Sequence, residues 1–312
     1  MKLAALFSGQ GAQKVGMGRD AYEKFPEARE IFERADEALG FSLSTLILEG
    51  PEERLRLTEF TQPTLLTVGV ALYTIAQQRG FRPQVAAGLS LGEYTAVVAA
   101  GVLTLEEGVR VVQKRGRYMQ EAVPDGEGAM AAILGLPYET VEEGLKEVED
   151  GIVVAANYNC PGQVVISGER EAVARAVEVL KAKGARRSTL LPVSAPFHSP
   201  LMAPATRRLQ EDLLALSFRD GAFPVVSNID GQPRQKGEEI REALLRQVEA
   251  PVRWSRGLLT MESLGVEGYL EFGPGGALVG FVKRTLSGRP ALAVETGDQA
   301  EAWEAWAKEA IS

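Results

Sequence analysis

The amino-acid sequence predicts an α/β fold in which a large domain with a mostly parallel sheet carries a small inserted subdomain. Two observations predict the large domain: short apolar runs end in glycine-rich or small polar turns, and helical stretches separate most of them. A third observation predicts the insertion, because the middle of the chain has the β-α-β-β-α-β order of a ferredoxin-like unit.

The large domain is predicted from strands and helices that alternate along the chain. A capping box formed by Thr104 and Glu107 begins one helix, which we expect to continue to about Glu121. Further helices are predicted at 20–39, 65–78 and 93–98, among others, and the strands at 3–7, 85–88, 223–226, 268–272 and 291–294. Because ligands of open α/β sheets bind beyond the carboxyl ends of the strands, we expect the turns that follow these strands to line one cleft.

The small subdomain is predicted from two amphipathic helices, at 139–148 and 169–183, among four short strands. The strands are expected at 129–134, 152–156, 164–166 and 189–193, with Asn157 and Asn159 in the loop between the second and third. We therefore predict a large catalytic domain formed by residues 1–123 and 196–312, and a ferredoxin-like subdomain at 124–195.

The composition indicates an ordinary globular protein, since 45% of the 312 residues are hydrophobic and 24% are charged. A formal net charge of -8 disfavours nucleic-acid binding. One cysteine and one histidine leave little for a disulfide or a zinc site. No apolar run approaches the roughly 20 residues of a membrane span. We expect a cytoplasmic protein that binds neither nucleic acid, membrane nor metal.

The segment Gly88-Leu89-Ser90-Leu91-Gly92 follows an apolar run and precedes a helical stretch. That context is typical of the nucleophile elbow in an α/β-hydrolase-like domain, with Ser90 at the turn. A serine hydroxyl needs a base to take its proton, and His198 is the only histidine in the chain. The alternatives are an ordinary turn of small residues and a histidine without a catalytic role.

The turn Gly9–Gln13 follows the first predicted strand, but Lys14 stands where a dinucleotide-binding motif needs its third glycine. We interpret this turn as a source of a backbone N–H for an oxyanion, with the N–H of Leu91, the residue after the serine, as the second donor. The alternative is a plain turn between a strand and a helix.

Several motifs together carry a resemblance to a known family. They are Phe7–Gln13, Thr61–Pro63, Gly88–Tyr94, Arg115-Gly116, Asn157–Gln163, Pro196–Ser199, Ser227-Asn228 and Glu271–Gly275. In order and spacing they resemble the malonyl-CoA:acyl carrier protein transacylases over nearly the whole chain.

The resemblance implies a role for individual residues. Ser90 matches the nucleophile and His198 the general base, while Gln10 and Leu91 match the oxyanion-hole donors. Arg115 matches the arginine that holds the free carboxylate of malonate, a task suited to the forked guanidinium, although an arginine on a helix is more often at the surface.

Four further residues complete the predicted site. Gln247 aligns with the glutamine that orients the histidine, and we expect its amide oxygen to accept the imidazole N–H. Gln62 and Asn159 match residues that line the site, and Phe197, next to the base, is expected to narrow the pocket for small acyl groups.

The resemblance implies transfer of a malonyl group from malonyl-CoA to the phosphopantetheine thiol of acyl carrier protein, in fatty-acid biosynthesis. A Ser–His dyad would act in a ping-pong mechanism that needs no cofactor, and we expect a monomer. The alternatives are a serine esterase or thioesterase, an acyltransferase with another acyl-CoA donor, and a binding module for CoA esters.

Overall fold

A computed structural model describes residues 1–193 and 195–311, so that Ser194 and Ser312, within the predicted subdomain and the predicted large domain, lie outside the described residues. The strands in these ranges are β1 (Leu3–Phe7), β2 (Val85–Gly88), β3 (Gly128–Leu134), β4 (Val153–Cys160), β5 (Gln163–Glu169), β6 (Arg187–Leu190), β7 (Val225–Val226), β8 (Pro233–Arg234), β9 (Gly268–Phe272) and β10 (Ala291–Val294).

The helices of the first half are α1 (Arg19–Lys24), α2 (Pro26–Leu39), α3 (Leu43–Glu49), α4 (Glu52–Leu55), α5 (Thr58–Gln78), α6 (Leu91–Ala99), α7 (Leu105–Glu121) and α8 (Tyr138–Lys146). They are followed by α9 (Arg170–Ala182), α10 (Ala203–Leu214), α11 (Gly237–Gln247), α12 (Trp254–Ser263), α13 (Ala277–Thr285), α14 (Gly297–Glu301) and α15 (Trp303–Ala310). A short 3₁₀ turn, Pro200–Met202, precedes α10.

Six strands form a mostly parallel sheet, which we call sheet A, in the order β10-β9-β1-β2-β7-β8. Only the last pair, β7 with β8, is antiparallel. Every residue of β1, β2 and β9 is buried, as expected for central strands covered by helices on both faces. The strands predicted at 3–7, 85–88, 268–272 and 291–294 and the capping box of α7 are confirmed. The strand predicted at 223–226 is shorter, Val225–Val226, and β8 was not predicted.

The other four strands form an antiparallel sheet, sheet B, in the order β4-β5-β3-β6. Helices α8 and α9 pack on it through a separate core that includes Ile133, Val141, Ile166, Val173 and Leu180. This is the predicted βαββαβ arrangement. The predicted fold class, a mostly parallel sheet with a small ferredoxin-like unit inserted, is therefore confirmed.

Sheet B is joined to the large domain by hydrogen bonds as well as by the chain. The Tyr158 N–H donates to the Val252 carbonyl (2.9 Å), and the Val252 N–H donates to the Ala156 carbonyl (2.8 Å). The predicted boundaries at 123/124 and 195/196 fall in the connections before β3 and after β6, and they stay predictions.

Sheet B differs from the sequence prediction at β4 and β6. Asn157 and Asn159, expected in a loop, belong to β4, whose pairing with β5 shifts register at both places. These bulges let a polar strand continue, because each one turns a side chain without ending the ladder. Strand β6 begins at Arg187 rather than Thr189, since its partners on β3 run from Leu134 to Ala131.

The helices also differ in part from their predicted extents. The helix predicted at 20–39 is two helices, which meet at Phe25 before Pro26, because a residue before proline disfavours the helical region. Helix α5 begins at Thr58, earlier than predicted, and keeps Pro63 inside it. Burial on most sides stabilises this helix despite the hydrogen bond that proline removes. Within the described residues, no helix has the length and apolar character needed to cross a membrane.

Candidate active site

The elbow at Ser90 is produced by a close crossing of β2, α6 and β1. Ser90 has a positive φ of 55°, a region that a residue other than glycine rarely adopts. A Cβ at Gly88 would lie 1.9 Å from backbone atoms of Gly92, and a Cβ at Gly92 would lie 2.2 Å from the Phe7 carbonyl oxygen. The two glycines of the motif are therefore required by backbone contacts.

Asn228 holds this elbow from the neighbouring strand. It follows β7, the strand that pairs with β2. Its side-chain Oδ1 accepts a hydrogen bond from the Ser90 N–H (2.7 Å), and its Nδ2 donates to the Gly88 carbonyl (2.8 Å). In the sequence, Asn228 belongs to one of the family motifs and follows a predicted strand; the structure adds that it stabilises the strained turn.

His198 lies within hydrogen-bond distance of the serine. Its Nε2 is 2.7 Å from Ser90 Oγ, although 108 residues separate the two in sequence. Its Nδ1 lies 3.0 Å from the Gln247 carbonyl and 3.2 Å from the Ala250 carbonyl. Since both carbonyls only accept, Nδ1 carries the proton and Nε2 is free to accept one from Ser90.

The surroundings of His198 favour the neutral imidazole. The side chain is 2% exposed, and burial, reinforced by the positive charge of Arg115, lowers its pKa to about 4. The carbonyls of Gln247 and Ala250 act in the opposite direction. At neutral pH the imidazole is therefore uncharged, which is the form that can take the serine proton.

Gln247 contacts the histidine in a different way from the one predicted. The predicted acceptor, the side-chain amide oxygen, instead accepts from Arg115 Nη2 (2.9 Å), while the main-chain carbonyl of Gln247 accepts from the imidazole. The expectation of a side-chain contact is therefore wrong. The end of α11 explains the difference, because its last carbonyls have no partner within the helix.

Arg115 is buried beneath the serine, not at the surface. Only 1% of it is exposed. Its Nη2 donates to Ser90 Oγ (3.2 Å), and its Nη1 donates to the side-chain oxygen of Gln62 (2.9 Å). The guanidinium also lies 5.3 Å from the centre of the Tyr94 ring. Burial lowers the pKa of this guanidinium.

Gln62 lies behind Arg115 and is not among the residues that line the cavity at Ser90, contrary to the expectation from the sequence. Its side chain is 1% exposed, and its amide nitrogen faces the Met119 sulfur at 3.7 Å. The position on buried α5 explains this, because that helix faces the core and not the cleft.

Two backbone amides near the Ser90 cavity have no acceptor among the described residues. Leu91 is the first residue of α6, where an N–H has no partner within the helix. Gln10 lies in the turn after β1 and lines the same cavity. Within residues 1–193 and 195–311, neither N–H donates a hydrogen bond to another group. Both amides are therefore available to an oxyanion.

A cavity of about 470 Å³ opens over Ser90 and His198. Its wall is formed by the turn after β1, the elbow, sheet B and α13, as expected for turns at the carboxyl ends of the strands. Phe197 and Asn159 line it, and the side-chain oxygen of Asn159 is buried without a partner among the described residues. Sheet B contributes both apolar side chains (Met130, Ala132 and Val165) and amides (Asn157, Asn159 and Gln163) to this wall.

Glu93 is the residue of this site that the sequence reasoning missed. It is 2% exposed, and its Oε2 accepts from the Gln247 side-chain nitrogen (2.7 Å) and from the Asn228 N–H (3.2 Å). A carboxylate in the first turn after a nucleophile is a weak signal, because acidic residues are common at the start of helices. No group of acidic, histidine or cysteine side chains suited to a metal ion occurs in the described part of the chain.

The family of this chain follows from a comparison with known proteins. A family model described as the acyl transferase domain matches residues 5–303, nearly the whole chain. The chain therefore belongs to the acyl transferase family, a family of enzymes.

Its relatives within that family are named malonyl CoA-acyl carrier protein transacylase. The protein of that name from Bacillus subtilis is 44% identical over 302 residues, which cover 96% of this chain and 95% of the relative. A solved structure of the same kind from Coxiella burnetii has a TM-score of 0.96 at 40% identity, covering 100% of this chain and 98% of that one.

A second solved structure contains a carrier protein. It is a malonyl-transacylase in complex with a type II PKS acyl-carrier protein, 43% identical, with a TM-score of 0.94 and coverage of 97% of this chain and 98% of that one. The resemblance predicted from the motifs is confirmed by these relatives, and so is the prediction of an enzyme.

Proposed function

We propose that this enzyme transfers a malonyl group from malonyl-CoA to the phosphopantetheine thiol of acyl carrier protein, in fatty-acid biosynthesis. One observation carries the proposal: Ser90 Oγ lies 2.7 Å from an imidazole nitrogen and 3.2 Å from Arg115 Nη2. A base activates the hydroxyl, and a buried cation lies within hydrogen-bond distance of the same oxygen. The names of the relatives and the carrier-protein complex support the choice of substrates.

In the first half-reaction, His198 Nε2 takes the proton from Ser90 Oγ, which attacks the thioester carbonyl of malonyl-CoA. The N–H groups of Gln10 and Leu91 stabilise the oxyanion of the tetrahedral intermediate. Its C–S bond then breaks, the coenzyme A sulfur leaves with the proton from His198, and a malonyl ester remains on Ser90.

In the second half-reaction, the carrier-protein thiol enters the cavity and His198 takes its proton. The thiolate attacks the ester carbonyl, the bond between the acyl carbon and Ser90 Oγ breaks, and Oγ takes the proton back from His198. None of these steps calls for a metal or a redox cofactor. Because the orienting groups of His198 are neutral carbonyls, the pair acts as a Ser–His dyad without a carboxylate.

Arg115 is proposed to select malonyl over acetyl. Its guanidinium can form two parallel hydrogen bonds with a terminal carboxylate, which acetyl lacks. An acetyl group would leave the buried cation without a counter-charge, a loss that costs more than the missing contact alone. We also propose a cytoplasmic monomer that binds neither nucleic acid nor membrane; the net charge of -8 supports the statement on nucleic acid.

The test is intact-mass spectrometry after mixing the enzyme with malonyl-CoA or acetyl-CoA. The wild type is expected to gain a malonyl adduct on Ser90 and little acetyl adduct, while Arg115→Ala should reverse this preference, a change of roughly 100-fold or more in the ratio of the two rates. Arg117→Ala is the matched control, because Arg117 is exposed on the same helix.

A pantetheine thiol added to the malonyl adduct distinguishes a transferase from a hydrolase. Transfer to the thiol should outrun release of malonate into water. Equal labelling of the wild type by both donors would disprove the role of Arg115, and hydrolysis faster than transfer would favour a thioesterase.

A further inference from the structure

Glu93 has no role in the mechanism above, yet its carboxylate is buried directly beside it. Its hydrogen-bond donors are uncharged and include the Gln247 side-chain nitrogen at 2.7 Å and the Asn228 N–H at 3.2 Å. Within the described residues no lysine or arginine forms an ion pair with it. A buried carboxylate without a cation destabilises the fold, so that its presence calls for another explanation.

Arg115 presents the same problem with the opposite charge. Its three acceptors, the side-chain oxygens of Gln62 and Gln247 and the Ser90 hydroxyl, are all neutral. No carboxylate of the described residues forms an ion pair with it either. While the acyl site is empty, the guanidinium therefore has hydrogen bonds but no charge in contact that balances its own.

The side chain of Gln247 lies between these two charges. Its Oε1 accepts from Arg115 Nη2 (2.9 Å), and its Nε2 donates to Glu93 Oε2 (2.7 Å) and to the Ser90 carbonyl (2.9 Å). Since a guanidinium only donates and a carboxylate only accepts, the amide can be satisfied in one orientation alone. Glu93 and Arg115 are thus connected through a single amide group.

We propose that Glu93 is a positioning residue for Arg115: through the Gln247 amide it aims the guanidinium at the acyl carboxylate and balances its charge while the acyl site is empty. This inference rests on the proposed function, because it assumes an acyl group with a free carboxylate. Glu93 touches neither the acyl group nor the reacting atoms, and acts through Gln247 and Arg115.

Loading the site brings a second carboxylate to the same guanidinium. Burial raises the pKa of Glu93 to about 7, with Gln247, Asn228 and the charge of Arg234 acting in the opposite direction. Glu93 can therefore take up a proton when the acyl carboxylate arrives, which leaves one carboxylate with one guanidinium. Above pH 7 this proton must come from solvent at increasing cost, so that selectivity for malonyl falls as pH rises.

The other titratable groups near this network do not change charge between pH 6 and 8. Burial lowers the pKa of His198 to about 4 and raises that of Tyr94 to about 12. Arg115 stays protonated, although burial lowers its pKa. In the wild type, the ratio of malonyl to acetyl loading rates should therefore fall by as much as roughly tenfold from pH 6 to pH 8.

The test compares Glu93→Ala and Glu93→Gln in the loading assay with malonyl-CoA and acetyl-CoA. Glu93→Ala removes the acceptor that holds the Gln247 amide, and should lower kcat/KM for malonyl-CoA at least tenfold while changing that for acetyl-CoA less than threefold. Glu93→Gln keeps an acceptor but removes the charge. It should restore selectivity for malonyl and make the ratio independent of pH from 6 to 8.

Glu271→Gln is the matched control, since Glu271 is another fully buried carboxylate, bound to the Ser8 hydroxyl and the Val279 N–H and not to the Arg115 network. It should alter both donors by the same factor. If Glu93→Ala folds and its kcat/KM falls by the same factor for malonyl-CoA and acetyl-CoA, Glu93 has only a structural role and the proposal is overturned.

If Glu93→Ala does not fold, Glu93→Gln alone tests the proposal. A ratio of malonyl to acetyl loading rates that changes with pH in Glu93→Gln as it does in the wild type overturns the proposal. A wild-type ratio that does not change with pH overturns it as well. A wild type that gains no malonyl adduct contradicts the proposed function itself. A wild type that is labelled, with variants that do not shift the ratio, contradicts only the inference about Glu93.

Discussion

The two sheets contribute to the active site in different ways. Sheet A supplies backbone: its buried strands end in the turn of Gln10, the elbow of Ser90 and the turn of Asn228, and the Asn228 side chain holds the elbow through hydrogen bonds of 2.7 and 2.8 Å. Sheet B supplies a wall, with side chains of β3, β4 and β5 that face the cavity. The comparison teaches that the nucleophile and the amides beside it come from turns of sheet A, whereas sheet B forms one wall of the pocket and is followed in the chain by the base, His198.

The largest effect is expected at the elbow of sheet A. Ser90→Ala removes the nucleophile and should abolish the malonyl adduct, with turnover reduced by roughly 10⁴-fold or more. Intact mass and steady-state transfer to carrier protein measure both effects. A residual rate above about 1% of the wild type would mean that another group accepts the acyl chain.

A smaller loss of activity is expected from Asn228→Ala, also on the side of sheet A, because this substitution leaves the nucleophile in place. The Ser90 N–H and the Gly88 carbonyl both lose their partner, so that the strained turn can relax. We expect kcat to fall roughly 100-fold and the free energy of unfolding to fall by about 1–3 kcal/mol. Chemical denaturation and loading kinetics measure the two quantities.

Asn228→Asp is the control, since its carboxylate can still accept from Ser90 but cannot donate to Gly88. It should recover part of the lost rate. An alanine variant with an unchanged loading rate would show that the glycine contacts alone fix the elbow.

The smallest effect is expected on the wall formed by sheet B. Asn159→Ala removes a buried side-chain oxygen that has no partner in the empty cavity among the described residues. If that oxygen accepts from an amide N–H of the entering thioester, KM should rise roughly 3- to 10-fold for malonyl-CoA and acetyl-CoA alike, with kcat unchanged. A fall in kcat with constant KM would move Asn159 from the wall to the chemistry and weaken the comparison.

Sequence reasoning reached sheet A more completely than sheet B, for a physical reason. The apolar run Leu3–Phe7 and the run Gly268–Phe272, whose one charged residue is Glu271, predict buried parallel strands at the correct bounds. Strand β4 contains Asn157 and Asn159, and its bulges depend on pairing with β5, which no local pattern predicts. The strand of sheet B that places Asn157 and Asn159 at the cavity is therefore described less well by local propensity than the buried strands of sheet A.

The active site also contains residues that the sequence predicted and residues that it did not. The motifs predicted that Ser90, His198 and Arg115 act together, and the side chains of His198 and Arg115 both lie within hydrogen-bond distance of Ser90 Oγ. The orientation of Gln247 and the burial of Glu93 could not be predicted, because they depend on how α11 ends beside α6. The family resemblance identified Gln247 as a residue of the site, but packing determines that its main-chain oxygen contacts His198 and its side-chain oxygen contacts Arg115.

Ser90 and His198 are also the two described residues other than glycine with a positive φ, 55° and 56°. Each such backbone costs on the order of 1–3 kcal/mol, which the surrounding fold must supply. Glycine at either position would remove that conformational cost, but it would also abolish the reaction, because the nucleophile or the base would be lost. A form of this enzyme adapted to higher temperature must therefore gain its thermal stability at other positions, because neither residue can be replaced by glycine without loss of activity.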